Sequence, residues 1–124
     1  MAVLDGYTSN PGDLSWEAFE KLGELTVHDR TMPEEVVSRC AGCEVVFTNK
    51  VVMDAGIMDQ LPELKYIGVL ATGTNVIDLE YAGNKGICVT NIPGYGTDSV
   101  VQHILAFMLH FSSKVSIHDE AVHQ

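Results

Sequence analysis

Chemistry in this chain concentrates in short polar runs that follow apolar ones. The most informative is Ala71-Thr-Gly-Thr-Asn75. Gly73 permits a tight backbone turn, positive φ included. Successive N–H groups in such a turn can point outward as a small anion nest, which suits a carboxylate. The same residues also describe a plain strand-to-helix turn closed by an Asn or Asp cap. Lys50, ending the run Thr48-Asn49-Lys50, is expected beside that loop. There it either assists an anion or stands as a solvated surface lysine. Tyr7, Asn10 and Asn49 are further polar candidates, though each residue type more often forms a turn or a core-edge hydrogen bond.

Other groups carry less. Cys40-Ala-Gly-Cys43 has redox spacing, but thiolate activation needs a helix N-terminus, and this pair ends a helix. Three cysteines, Cys40, Cys43 and Cys88, do not make a disulfide framework. His28, His103, His110, His118 and His123 include no close metal spacing such as HExxH, so no metal site is expected. The sequence contains no GxGxxG fingerprint, no P-loop and no GxSxG elbow.

These runs need elements to hold them. Short β-rich segments are Ala2–Asp5, Glu24–His28, Glu44–Thr48, Lys65–Leu70 and Ile87–Asn91. Amphipathic stretches alternate with them. Leu14 to Leu22 reads as a helix stopped by Gly23. Thr31-Met-Pro-Glu34 reads as a capping box with an early Pro33. Asp54 can cap a helix to Leu61, and Asn75 or Asp78 another to Asn84. Ser99 to about Val115 is the longest and most apolar helix. Strand-helix alternation five times over predicts an α/β protein, a flavodoxin-like three-layer sandwich with a five-stranded parallel sheet in the order 2-1-3-4-5. Strands rich in Val, Ile and Leu predict cover on both faces. Ligands in such a sheet bind beyond the strands' carboxyl ends.

The totals restrict partners. With 124 residues the chain is one domain by length. Seven Lys plus Arg against seventeen Asp plus Glu give a net charge of −10, which repels nucleic acid. No apolar run spans a bilayer, and the first residues lack a signal peptide's basic region, so a cytoplasmic protein is expected, with no membrane partner.

Three stretches are similar to the D-isomer-specific 2-hydroxyacid dehydrogenase family. They are Ala71-Thr-Gly-Thr-Asn-Val-Ile-Asp78, Gly86-Ile-Cys-Val-Thr-Asn-Ile-Pro93 and Tyr95-Gly-Thr-Asp-Ser-Val100. Val3-Leu-Asp-Gly-Tyr7, Asn10-Pro-Gly-Asp-Leu-Ser-Trp16 and Leu61-Pro-Glu-Leu-Lys-Tyr-Ile-Gly-Val-Leu70 extend the resemblance to nearly the whole chain. The flavour is that of glycerate dehydrogenases, also called hydroxypyruvate reductases, which reduce 2-oxo acids with NADH. The resemblance implies a substrate-binding domain. Thr72 and Gly73 would lend backbone N–H groups to a substrate carboxylate, with Leu70 and Ala71 lining the pocket and Lys50 nearby. Gly96, Thr97 and Ser99 would lie near the nicotinamide, and Gly96 stands where relatives often carry Ser. Residues 1–97 would form the flavodoxin-like core, and 98–124 the helix leading to an NAD-binding domain.

In the family the dinucleotide fingerprint, the substrate-clamping Arg and the Glu–His pair come later than Gln124. The resemblance therefore implies no catalytic residue in this chain, no bound NAD, weak binding of small 2-oxo or 2-hydroxy acids and no activity alone. Val100, Val101, Ile104, Leu105, Phe107, Met108, Leu109 and Phe111 leave the last helix little polar surface. That predicts folding onto the sheet or a homodimer, one form of which exchanges the helix between chains. Rival readings fare worse. A phospho-receiver needs an acceptor Asp after strand 3, where Thr48-Asn49 stands. A flavodoxin needs a better phosphate loop than Tyr7-Thr-Ser-Asn-Pro-Gly12. A stand-alone binding or structural domain remains compatible with the main reading.

Overall fold

The computed structural model describes residues 1–123 and divides into two compact units, Met1–Pro93 and Gly94 onward. In the first unit five strands pair in parallel, in the order β2-β1-β3-β4-β5. They are β1 Ala2–Val3, β2 Thr26–Val27, β3 Val45–Thr48, β4 Tyr66–Val69 and β5 Cys88–Thr90. The register sets Val3 beside Phe47, Phe47 beside Gly68, and Gly68 beside Thr90. The expected α/β class and strand order are therefore present. The strands are shorter than the apolar runs that predict them, because the run ends bend into the crest loops.

Alternation sorts the side chains. On one face Leu4, Val46, Ile67 and Val69 pack against Val36 and Cys40 of α2 (Val36–Cys40), Met58 of α3 (Ala55–Asp59) and Ala82 of α4 (Leu79–Asn84). This is the core, and nearly all of it is inaccessible to solvent. On the other face Trp16, Phe19, Phe47 and Tyr66 form a chain of edge-to-face rings at centroid distances of 5.5, 5.0 and 6.1 Å. Gly68 permits it: a Cβ there would lie 2.5 Å from the Phe47 ring. Within this unit only α1 (Glu17–Glu20) covers that face, and Cys88 and Thr90 are exposed on β5.

Several helix boundaries differ from expectation for local reasons. The first helix is one turn rather than Leu14–Leu22. Asn10 Oδ1 accepts from Gly12 and Leu14 N–H at 3.1 and 3.0 Å, which holds that stretch as a loop. Thr31 does not cap the second helix. Met32 is the cap residue, and its N–H donates to Glu35 Oε2 at 2.9 Å. Thr31 Oγ1 instead donates to the Leu4 carbonyl and accepts from Arg39 Nη1. Asp54 and Asp78 cap as expected, accepting from Ile57 and Tyr81 N–H at 2.9 and 3.0 Å.

In the second unit α5 (Thr97–Ser113) is followed by α6 (Val115–His123). The break is at Lys114, a left-handed residue with φ 50°. The helix thus starts two residues before the expected Ser99 and stops just short of Val115. Among the described residues no single helix is long and apolar enough to cross a membrane.

Candidate functional site

Two crest loops of the sheet offer backbone amides beyond the strand ends, and they use them differently. After β3, the Asn49 and Lys50 N–H groups donate to the two oxygens of Asp5 at 2.8 and 2.6 Å. Asp5 lies two residues beyond the end of β1 and is buried, 4% exposed. Its carboxylate is desolvated and held by N–H groups, which is how a buried charge is tolerated. Thr48 beneath it is also buried, and its Oγ1 donates to the Val51 carbonyl and accepts from the Val51 N–H. The Asn49 side chain donates to Thr8 Oγ1 at 3.0 Å. Sequence reading misses this role of Asp5, which it sees only as the end of the first β-rich segment. The available signal is an Asp-Gly pair ending the strand that neighbours Thr48-Asn49-Lys50.

After β4, the corresponding turn has no internal carboxylate. Leu70 N–H still belongs to the sheet, donating to Thr48 O at 2.8 Å, and Ala71 O accepts from Ile92 N–H at 3.0 Å. Beyond Ala71, which is buried, Thr72 and Gly73 are exposed. Among the described residues neither the Thr72 nor the Gly73 N–H has a hydrogen-bond partner. The turn is nevertheless tied down. Asn91 Nδ2 donates to the Thr72 carbonyl at 2.7 Å, and Ile77 N–H donates to the Thr74 carbonyl at 2.9 Å. Gly73 does not have a positive φ. Its glycine character acts through space instead, since a Cβ there would sit 3.0 Å from Asn75 Oδ1. The turn therefore leaves two exposed, unpartnered amides beyond the end of a central parallel strand.

Lys50 exposes its side chain on the wall of a cavity with Arg30, Thr8 and Val51, and only its N–H is committed, to Asp5. Tyr7 is half exposed, with the Arg30 guanidinium 5.4 Å from its ring centroid. Asn10 organises its own loop. Gly96 caps α5, and Thr97 and Ser99 lie exposed in its first turn. In the Cys40–Cys43 pair burial pushes the Cys40 thiol up to about 12, with the neighbouring Cys43 adding to the shift, the opposite of the lowered thiol that redox chemistry uses. Among the described residues no group of His, Cys, Asp and Glu could hold a metal.

Comparison with known proteins agrees with this fold. Residues 3–122 match the family of the D-isomer specific 2-hydroxyacid dehydrogenase, catalytic domain. A hydroxypyruvate reductase of Blautia hydrogenotrophica is 46% identical over 127 residues, covering 100% of this chain and 39% of that protein. A glycerate dehydrogenase of Methylorubrum extorquens is 46% identical over 76 residues, 61% of this chain and 24% of that protein. Among solved structures, an acyclic imino acid reductase in complex with NADPH and D-Arg superposes with a TM-score of 0.77 at 21% identity, covering 99% of this chain and 41% of that one. The apo D-lactate dehydrogenase of Escherichia coli gives 0.71 at 23% identity, over 93% and 38%. At such identities these two structures speak for the fold alone. The chain spans well under half the length of each of these relatives. A five-stranded parallel sheet in the order 2-1-3-4-5, with residues 3–122 matching the family's catalytic domain, identifies this chain as a member of the D-isomer-specific 2-hydroxyacid dehydrogenase family.

Proposed function

We propose that this chain is the substrate-binding half of an NAD(H)-dependent D-2-hydroxyacid dehydrogenase of the hydroxypyruvate reductase type. Its part is to hold the carboxylate of a small 2-oxo acid on the Thr72 and Gly73 amides while the other half supplies hydride and proton. The observation that carries this is the pair of unpartnered N–H groups at the crest of β4. Two charge-assisted hydrogen bonds from backbone amides hold a carboxylate without a cation, which suits a chain with a net charge of −10. Leu70 and Ala71 form the apolar edge of that pocket.

The nicotinamide cofactor does not fit the residues of this chain. Among the described residues the only long helix follows Gly94-Tyr95-Gly96, where Ser99 stands in place of the third glycine of a GxGxxG fingerprint, and it carries an acid, Asp98, in its first turn. An acid there opposes a pyrophosphate. Gly96, Thr97 and Ser99 are proposed to face the nicotinamide end of the cleft only when the cofactor-binding half is present. The chain by itself is therefore proposed to be inactive.

Titration with NADH and with hydroxypyruvate tests this. Weak hydroxypyruvate binding is expected, with amide shifts centred on Thr72 and Gly73, and no NADH oxidation. Oxidation of NADH by the pure chain, or acid-induced shifts that avoid this turn, would overturn it.

We also propose that α5 is covered by a second copy of itself. Val100, Ile104, Leu105, Met108 and Phe111 are all at least half exposed, although a helix apolar around its circumference is a buried one. Asp98 is the only acid between Thr97 and Ser113, so the chain's negative charge does not oppose pairing of these helices. Light scattering at high micromolar concentration should give a dimer, and a monomer there ends this reading.

A further inference from the structure

The first unit contains a cavity of about 480 Å³ beyond the carboxyl ends of β1 and β3. That volume is within the about 300–1,000 Å³ of small-molecule sites. None of Leu70, Ala71, Thr72 or Gly73 lines it. Its floor is apolar: Val36, wholly buried, with Val51 and Ile57 partly buried against the core. Met32 and Val52, each more than half exposed, stand at the mouth.

The polar groups on its wall are unequal. The two acids are already engaged: Asp5 accepts from two backbone N–H groups, and Asp54 caps α3 through Ile57 N–H. The two cations have no ion pair among the described residues, and the Arg30 guanidinium stands 5.4 Å from the Tyr7 ring centroid. Of the chain's seven Lys and Arg side chains, Arg39, Lys65 and Lys85 are ion-paired. Of the remaining Lys21, Arg30, Lys50 and Lys114, none has an ion pair among the described residues, and both Arg30 and Lys50 line this one cavity. In a protein so poor in cations, two free ones over one apolar floor define a ligand chemistry.

We infer that this cavity binds a small organic anion with a compact apolar body, its charged group drawn by Arg30 and Lys50 and its body resting on Val36, Val51 and Ile57. The apolar floor argues against inorganic phosphate as the preferred occupant. The free guanidinium and ammonium argue against a neutral one.

The test uses 3-methylbutanoate as the probe, with its amide and inorganic phosphate as comparators, followed by amide shifts of the whole chain. The carboxylate should move Thr31, Lys50, Val51 and Val52 and leave Thr72 and Gly73 unmoved. Arg30→Gln and Lys50→Gln should each weaken it about tenfold, roughly one charge-assisted hydrogen bond. The amide should bind at least about tenfold more weakly. Equal binding of the amide, or phosphate binding as tightly as the carboxylate, overturns the inference. So do shifts confined to Thr72 and Gly73. Because the probe has no 2-oxo group and the reporting residues differ, this result and that of the hydroxypyruvate titration fail independently.

Discussion

The loops after β3 and β4 follow neighbouring strands of the sheet, yet the amides of one meet a carboxylate of the chain and those of the other meet no partner among the described residues. Beyond β3 the protein supplies its own carboxylate, Asp5, at 2.8 and 2.6 Å from two N–H groups. Beyond β4 the Thr72 and Gly73 amides have no such partner among the described residues. The filled loop shows what the fold can do with an acid at a strand crest. On the proposed function the open loop takes an acid from outside, so that structure and binding would use one chemistry at two adjacent positions, separated by whether β1 places an Asp within reach.

Removing the internal acid breaks the comparison hardest. Asp5→Ala leaves two part-buried N–H groups without their carboxylate and should cost about 2 kcal/mol, read as a lower denaturant midpoint. Asp5→Asn keeps one acceptor and should cost less. A loss below about 1 kcal/mol for the alanine variant would mean that the β3 loop does not depend on its carboxylate.

The open loop should respond the other way. Gly73→Val places a branched side chain against Asn75 Oδ1 and shades the adjacent amides. Hydroxypyruvate binding should fall about tenfold while stability changes by less than about 1 kcal/mol. If stability falls as far as in Asp5→Ala, the turn is structural and the contrast is lost.

Thiol labelling sharpens the contrast without a ligand. Cys40 is buried and its thiol is pushed up to about 12, whereas Cys88 is exposed. Near pH 8, Cys88 should react at least about a hundredfold faster, because Cys40 reacts only through opening of the core. Asp5→Ala should raise the Cys40 rate and Gly73→Val should not. Equal rates for the two thiols in the parent chain would remove the readout and the burial argument with it.

The smallest effect concerns pH. Burial lowers the His28 pKa, and the Arg39 charge adds to the shift against a weaker pull from Glu35. A histidine lowered on folding contributes stability that is complete above its unfolded value of about 6.5 and is lost as pH falls through the folded value. His28 carbonyl accepts from Gly6 N–H at 2.8 Å, so the effect is local to the filled side of the crest. A modest fall in unfolding midpoint below pH 6.5 is expected, and His28→Gln should abolish it. An unchanged pH slope in that variant would show that His28 plays no part.

The sequence by itself determined the order of the elements. Apolar runs alternating with capped amphipathic stretches leave few ways to cover strands, and the parallel 2-1-3-4-5 sheet follows from them. Asp54 and Asp78 were legible as caps because capping is a contact over three residues. The Thr72–Gly73 turn was legible for the same local reason. What the sequence left undecided depends on contacts across long separations. Thr31 looks like a cap, but is drawn to Leu4 and Arg39 instead. Asn10 unwinds a helix that hydrophobic spacing favours. Asp5 gains its role only where β1 lies beside β3, some 44 residues on. Arg30 and Lys50 share a cavity only after β2 and β3 have been placed. Periodicity and capping report on neighbours within a turn or two. Which distant amide meets which carboxylate is decided when the sheet brings strand ends together.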